Sequence, residues 1–306
     1  MRRPAALLSL ALAALAAAPS FAASPAATRV CAFSDARVNE SSGVAVSTRG
    51  DVLWTHNDSG DTARFFGIDP KSCRTLSTYK LSLPAVTVAG ESTASFDWED
   101  MARGTAADGT PVLLFADIGD NSQFREGSVF VYEVAEPTGR QKDSAAETPI
   151  AVRAVYQLVY PHAPVDAESL AMTPAGRLVV VTKQRSVSGD YTGKSEVYMT
   201  SSRPTTGPNV LTKVSDLDVT ALPRVSPSSS DSLAVTSADV SRDGRSLLVR
   251  TYTTAYLYPL RFPLLKPRVI PLLTTKQGEA IGFTADGRGF WTTSEGTHAP
   301  VDRYRL

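Results

Sequence analysis

The sequence predicts an all-β protein of the β-propeller class, and two observations support this prediction. First, one short pattern occurs five times: an acidic or polar residue, a small residue, then two apolar positions separated by a small one. Second, each copy is followed by runs of β-branched and aromatic residues bounded by Gly, Pro, Asp and Ser, which are strand signals. A period of tens of residues indicates one supersecondary unit that is repeated. The copies lie at residues 42–46, 99–102, 168–172, 236–240 and 279–283.

Each unit is predicted to hold four antiparallel strands, which is the composition of a propeller blade. The pattern supplies the first strand, and the second strands are predicted at residues 51–55, 111–115, 178–182, 246–250 and 289–293. The third strands are predicted at residues 64–68, 129–133, 196–199, 255–258 and 301–304. Fourth strands are predicted at residues 76–83, 152–160, 210–214 and 268–273, with polar loops at 141–149 and 226–232. The fifth unit ends after three strands, so residues 28–33 are expected to complete it and close the ring.

We therefore predict five four-stranded blades closed by the N-terminal strand, or six if a degenerate unit lies within residues 210–237. The chain begins with Arg2, Arg3 and an apolar run at residues 5–18 that is too short to span a bilayer. This is the pattern of a signal peptide, here residues 1–22, with cleavage expected after Ala22. The remaining residues, 23–306, are predicted to form one exported domain in the extracellular or cell-wall space.

Charge and cysteine content restrict the possible partners and the compartment. Lys and Arg number 31, as do Asp and Glu, so nothing favours a nucleic-acid partner. No later apolar run has membrane length, and we expect a soluble monomer. Cys31 and Cys73 are the two cysteines, and an even number in an exported chain predicts a disulfide. In the loop-entropy model, closing that loop raises the free energy of unfolding by about 3–4 kcal/mol.

Propeller topology places the predicted functional residues together. The start of the first strand and the end of the second lie at the same face of a blade, so the polar residues at these positions should meet at one channel mouth. The acids that open first strands are Glu99, Glu168 and Glu279. The polar residues that end second strands are His56, Asn57, Asp58, Asp117, Asp120, Asn121, Lys183, Arg250 and Glu295.

Three interpretations of this acidic ring are open, because converging carboxylates need a cation, basic partners or raised pKa values. In the first, Lys183 and Arg250 pair with the acids and the ring is structural. In the second, Asp58, Asp117, Asp120 and Asn121 bind a hard divalent cation, with calcium the first candidate.

In the third interpretation the ring is the active site of a hydrolase for a phosphoester, lactone or glycoside. Glu99, Glu168, Glu279 or His56 would then be the acid or base. A ligand or substrate would be held by Asn57, Asp58, Lys183, Arg250 and Glu295. The sequence contains no G-x-S-x-G, H-E-x-x-H or dinucleotide motif.

Several of these motifs also resemble a known group of secreted propellers. The matching segments are residues 40–45, 53–58, 97–102, 166–170 and 278–281. They are similar to the SdiA-regulated propellers and to the family named for the esterase-like activity of phytase. The resemblance implies a propeller, export and calcium, and it assigns no catalytic residue. The double Asp before Pro-Ala that marks true propeller phytases is missing.

From these observations we predict a secreted, WD40-like propeller of bacterial type with an acidic site at one channel mouth. Its leading function is to bind a divalent cation, a small polar molecule such as a sugar or phosphate compound, or both. The alternatives are a metal-assisted or carboxylate-based hydrolase and an extracellular interaction scaffold.

Overall fold

The computed structural model describes residues 26–58, 60–83, 87–88, 91–92, 97–121, 125, 128–137, 140–162, 165–186 and 188–306. The predicted signal peptide lies outside these residues. Within them the protein is all-β, with two short 3₁₀ helices at Val219–Ala221 and Ser230–Leu233. No helix of the described chain combines the length and the hydropathy that a membrane crossing requires.

The strands follow one another in groups of four. The N-terminal strand is β1 (Ala27–Ala32). The first group is β2 (Ser41–Val46), β3 (Leu53–Asn57), β4 (Arg64–Ile68) and β5 (Thr75–Ser82), followed by a small hairpin of β6 (Thr87–Val88) and β7 (Glu91–Ser92). The second group is β8 (Trp98–Thr105), β9 (Pro111–Asp117), β10 (Ser128–Ala135) and β11 (Glu147–Val159). The third is β12 (Ala167–Met172), β13 (Leu178–Thr182), β14 (Lys194–Thr200) and β15 (Pro208–Asp218). The fourth is β16 (Val235–Val240), β17 (Ser246–Thr251), β18 (Thr254–Pro259) and β19 (Arg268–Pro271), and the fifth contains β20 (Ile281–Phe283), β21 (Gly289–Thr292) and β22 (Pro300–Arg305).

Within each group, successive strands pair antiparallel, as the repeat predicts. In the first group, for example, Val44 lies opposite Thr55 and Thr55 lies opposite Phe66. The fifth group takes its fourth strand from the N-terminus, because β1 pairs antiparallel with β22. The sequence repeat therefore identifies the strands and their local pairing.

The outer strand β11 departs from the prediction. It was expected at residues 152–160 after a polar loop, but it begins at Glu147 and its first five residues pair in parallel with β5. Its last three pair in parallel with β15. A strand of 13 residues extends past the edge of β10, and its unpaired backbone groups find partners on the neighbouring outer edges. Three groups are thereby merged in one 12-stranded sheet.

Buried apolar side chains lie between the groups. In the described chain they form five clusters, each joining two neighbouring groups. The last of them places Leu248 of β17 against Ile281 of β20, and another places Val44 of β2 against Trp291 of β21. The first strands of successive groups also contact one another, and β20 contacts β2. Because each group shows an apolar face to both neighbours, burial of apolar surface stabilises the arrangement of the groups.

The first strands are cross-linked by side chains, and Asp100 of β8 makes the most bonds. Its Oδ2 accepts hydrogen bonds from the backbone N–H of Leu170 on β12 (3.0 Å), and from the hydroxyl of Ser237 (3.0 Å) and the N–H of Ala238 (3.3 Å) on β16. The Ser237 hydroxyl in turn accepts from the N–H of Ile281 on β20, at 3.2 Å. One fully buried carboxylate thus links first strands of four groups.

At the far ends of the first strands, an arginine spans two groups that are not consecutive. The Arg242 guanidinium, just after β16, donates to the carbonyls of Ser47 and Thr48 after β2, at 2.8 Å each. Nearby, the Asp239 carboxylate accepts from the N–H of Phe283 at 2.8 Å. These contacts tie the strand ends together opposite the acidic residues.

The predicted disulfide is confirmed. Cys31 of β1 and Cys73, in the loop before β5, form an S–S bond across 42 residues. The bond attaches the N-terminal strand of the fifth group to the first group.

We expect Asp100→Asn to lower the free energy of unfolding by about 1–3 kcal/mol, because one side-chain oxygen becomes an NH₂ group facing N–H donors. Urea denaturation at neutral pH measures this. Asp216→Asn is the matched control, since that side chain is 79% exposed, and its change should stay within about 0.5 kcal/mol. Equal stability of the two variants would show that the Asp100 network does not hold the first strands together.

Candidate functional site

Five carboxylates meet where the first strands begin, and we call this group the acid cluster: Asp58, Asp97, Glu99, Asp166 and Glu168. Oxygens of Asp58, Asp97 and Glu99 lie within 4.8 Å of one another, and so do oxygens of Glu99, Asp166 and Glu168. Glu99 belongs to both triads. Because β3, β8 and β12 belong to neighbouring groups, the residues at these strand ends are brought to one place.

Glu99 is the centre of the acid cluster. It is only 2% exposed, and no described residue donates a hydrogen bond to its carboxylate. Burial raises its pKa well above the usual range, and the nearby charges of Glu168 and Asp58 raise it further. Gly119 lies directly against these carboxylates, because a Cβ at this position would collide with oxygens of Glu99 and Asp97. Glu99 therefore lies among other carboxylates, and no described residue donates a hydrogen bond to its side chain.

Glu168 has a cationic partner. It is 4% exposed and forms an ion pair with the ammonium of Lys183 at the end of β13. The Lys183 Nζ also donates to the Tyr252 hydroxyl at 3.3 Å and lies 5.3 Å from the ring centre of Tyr191. Burial lowers the pKa of Lys183, but the charges of Glu168 and Glu279 outweigh burial, so the net shift is upward and the amine stays charged. The second triad thus has a built-in cation, whereas Lys183 makes no ion pair with the first.

Two further glutamates extend the negative surface. Glu279 is 3% exposed, its Oε1 accepts from Gln277 Nε2 at 3.0 Å, and its Oε2 is buried without a partner among the described residues. Glu295 is half-buried, and its pKa is raised to about 8 by burial and by the charges of Glu279 and Asp58. At neutral pH the folded chain therefore holds a proton on Glu295, a carboxyl that would be ionised in water.

The acids that meet differ from those predicted to bind a cation. Asp58 is in the acid cluster, but neither triad contains Asp117 or Asp120. Asp117 is fully buried, forms an ion pair with Arg125 and accepts from the Tyr132 hydroxyl at 3.2 Å. The N–H of Asp120 donates to Asp166 Oδ1 at 3.0 Å, so this residue orients a cluster member.

The fourth predicted cation ligand, Asn121, is exposed at the turn after β9. This turn contacts the acid cluster in two ways. The backbone N–H of Asp120 binds Asp166, and Gly119, which has no side chain, leaves room for Glu99 and Asp97.

Three other predicted site residues make internal contacts. The His56 ring is fully buried beside Trp98 and Phe115, and burial lowers its pKa to about 4, so it is neutral. The Asn57 side chain accepts from the N–H of residue 40 at 3.2 Å and donates to Asp61 at 2.7 Å. The Arg250 guanidinium donates to four backbone carbonyls, those of residues 251, 252, 280 and 293. Their catalytic or ligand-binding roles stay predictions.

Sequence reasoning missed two acids and two aromatic residues of the site. Asp97 and Asp166 each stand two residues before a glutamate that opens a first strand, so the spacing D-x-E was the available signal. Tyr191 and Tyr252 come from loops that carry no such repeat, and only the fold places them beside Lys183.

Comparisons with known proteins identify no family for this chain. No protein-family model matches the sequence, and no curated protein matches it. The resemblance to the SdiA-regulated and esterase-like phytase propellers thus stays a prediction. Among solved structures, the chain is similar to the Neurospora crassa Pan2 WD40 domain, with 10% identity over 94% of this chain and 98% of that one and a TM-score of 0.48. It is also similar to a luciferin-regenerating enzyme (11% identity, 92% and 95% covered, TM-score 0.43) and to Kuenenia stuttgartiensis hydrazine synthase (11%, 87% and 71%, TM-score 0.42). At these TM-scores the neighbours say nothing about activity.

We expect the metal-free protein to lose stability as the pH rises from about 6.5 to about 8, and the loss to level off above that pH. The pKa of an unfolded glutamate is about 4.5, whereas the pKa of Glu295 in the folded chain is about 8, so between these values the folded state holds a proton that the unfolded state has lost. His56 has a pKa of about 4 in the folded chain and 6.5 in the unfolded chain, so it changes stability in the opposite direction and mainly below pH 6.5. Urea denaturation in the presence of a chelator measures this trend.

Glu295→Gln should reduce that loss by about 1–2 kcal/mol after allowance for solvent screening. Asp216→Asn, at an exposed site, should leave it unchanged. A stability that is flat or rising over this pH range would contradict the raised pKa values.

Proposed function

We propose that the five strand groups are the blades of a closed propeller, and that the chain is an exported monomer. The support is the cyclic order of contacts: five apolar clusters join neighbouring groups, and β1 completes the sheet of β20 to β22. The signal-peptide pattern and the Cys31–Cys73 disulfide favour an oxidising compartment.

We further propose that the acid cluster binds a divalent cation, calcium, and that Asp58, Asp97 and Glu99 are its ligands. The observation that supports this most is Glu99, a buried carboxylate that receives no hydrogen bond from the described chain and faces other acids. A buried ionised group needs a partner of opposite charge, and a cation would supply it.

The chemistry of the donors fits calcium. The ion takes six to eight oxygen ligands in loose geometry, and three carboxylates that bind through one or two oxygens each leave positions for water or ligand. Asp58 and Asp97 are half-buried, so the cation would lie at the mouth of the site. The second triad contacts Lys183 already, and for this reason we assign the cation to the first.

The cation would hold a small polar ligand at this mouth. A calcium ion with open positions binds hydroxyl or phosphate oxygens. The Lys183 ammonium and the Tyr252 hydroxyl lie next to the shared Glu99 and offer further hydrogen bonds to the same ligand. A sugar or a phosphate-bearing molecule has the oxygen atoms that such a site recognises.

We expect calcium to raise the melting temperature and to bind with one ion per chain. A free concentration of about 100 times the dissociation constant should add about 2.7 kcal/mol. Binding should be tighter at pH 8 than at pH 6, because at lower pH the ion must displace protons from the acid cluster. Isothermal titration calorimetry and thermal unfolding of chelator-treated protein measure both effects.

Glu99→Gln should weaken calcium binding at least about tenfold, since the substitution removes one carboxylate ligand and its charge. Glu133→Gln is the matched control: this glutamate is equally buried but lies on β10, where it accepts from the Tyr156 hydroxyl at 2.7 Å. Calcium that leaves melting unchanged, or that stabilises wild type and Glu99→Gln equally, would refute the site.

A further inference from the structure

A cavity lies between the fifth and first groups, at the ends of the first strands that are far from the acid cluster. We call it the seam groove; its volume is about 430 Å³, within the range of small-molecule sites. Val30, Val46 and Trp291 are among its apolar lining residues. The turns after β2 and β20 meet closely here, because a Cβ on Gly50 would lie 2.8 Å from that of Ala285. The groove follows β2 and β20, whereas the acid cluster lies where β8 and β12 begin, so the two sites are separate.

Three cationic side chains border the seam groove, and they come from three separate segments: Arg49, Lys71 and Arg303. Lys71 and Arg303 make no ion pair with any residue that the structure describes. Arg49 lies 3.9 Å from Asp51, a distance at which the pair is weak, and both side chains are exposed. The described lining of the groove therefore carries three cationic side chains and one acidic side chain, Asp286.

Among the described residues one acid lines the groove, Asp286, and its carboxylate is bound within its own turn. Asp286 Oδ1 accepts from the Thr284 hydroxyl at 2.6 Å and from the N–H of Arg288 at 3.0 Å. These hydrogen bonds hold the pKa of Asp286 below its usual value, so the carboxylate stays ionised and bound to the turn. It does not form an ion pair with Arg303 or Lys71.

The apolar lining and the cations lie next to each other. The Arg303 guanidinium stacks over the Trp291 ring, 5.4 Å from its centre, and thereby places its charge at the edge of the apolar surface. A ligand that fits must bury an apolar body against the half-buried Val30 and Ala285, beside the edge of Trp291, and present an anionic group to Lys71 and Arg303. A neutral apolar molecule would leave the cations unused, and a small inorganic anion would leave the apolar surface unused.

We propose that the seam groove binds a small amphipathic anion, a molecule with an aromatic or aliphatic body and a carboxylate or sulfonate. Burial of the body provides most of the binding energy, and the two unpaired cations provide the preference for an anion. This site is independent of the cation and ligand proposed for the acid cluster.

The test uses two probes with the same aromatic body. Anilinonaphthalene sulfonate carries one negative charge, and N-phenylnaphthylamine is its neutral analogue; fluorescence titration of the folded protein measures both. We expect the sulfonate to bind at least about fivefold more tightly. Decanoate, which has an aliphatic body and a carboxylate, should displace it. Equal affinities for the two probes would overturn the proposal.

Variants locate the binding. The double variant Lys71→Gln, Arg303→Gln should weaken the sulfonate about tenfold and leave the neutral probe unchanged. The matched control is Arg268→Gln, Lys276→Gln, which removes two exposed cations outside the groove. Wild-type affinity in the groove variant, or the same loss in the control, would show that the probe binds elsewhere. Circular dichroism and melting confirm that both variants are folded.

Discussion

The arrangement of the strand groups depends on one buried carboxylate. First strands of different groups do not pair through their backbones, so their inward polar groups need other partners. The Asp100 carboxylate accepts hydrogen bonds from backbone N–H groups of β12 and β16, and the Ser237 hydroxyl accepts one from β20. On the other side, the hydroxyl of Ser42 on β2 donates to the carbonyl of Glu99. The apolar clusters bring the groups together, but these hydrogen bonds fix the register in which they meet.

The same register creates the acid cluster. Once Asp100 fixes β8 beside β12, Glu99 must lie next to Glu168, although both are buried and would repel each other when ionised. Lys183 forms an ion pair with Glu168, whereas no described residue forms an ion pair with Glu99. A structural role would require balanced charges, as at Asp117 with Arg125. The imbalance at Glu99 is therefore the reason to assign a binding role here.

Much of the fold could be predicted from the sequence, because a repeated pattern gives strand positions and local antiparallel pairing without reference to tertiary structure. The meeting of Glu99 and Glu168 followed from strand order alone. The parallel contacts of β11 could not be predicted, since they arise where residues 147–151 of β11 extend past β10 and residues 208–210 of β15 extend past β14. The predicted cation ligands Asp58, Asp117, Asp120 and Asn121 stay a prediction. Of these, Asp58 lies in one of the two carboxylate triads, whereas Asp117 pairs with Arg125, a contact that its position along the chain does not reveal.

The position of Arg242 affects the side from which a ligand can reach the proposed site. Its guanidinium bridges from β16 to the turn after β2 and lies across the ends of the first strands. Below it, Asp100 and Ser237 occupy the interior. These described contacts lie behind Glu99, so a ligand at the proposed cation site would enter and leave on the side of the half-buried Asp58 and Asp97. A molecule held at Glu99 would have to be released before its successor could bind.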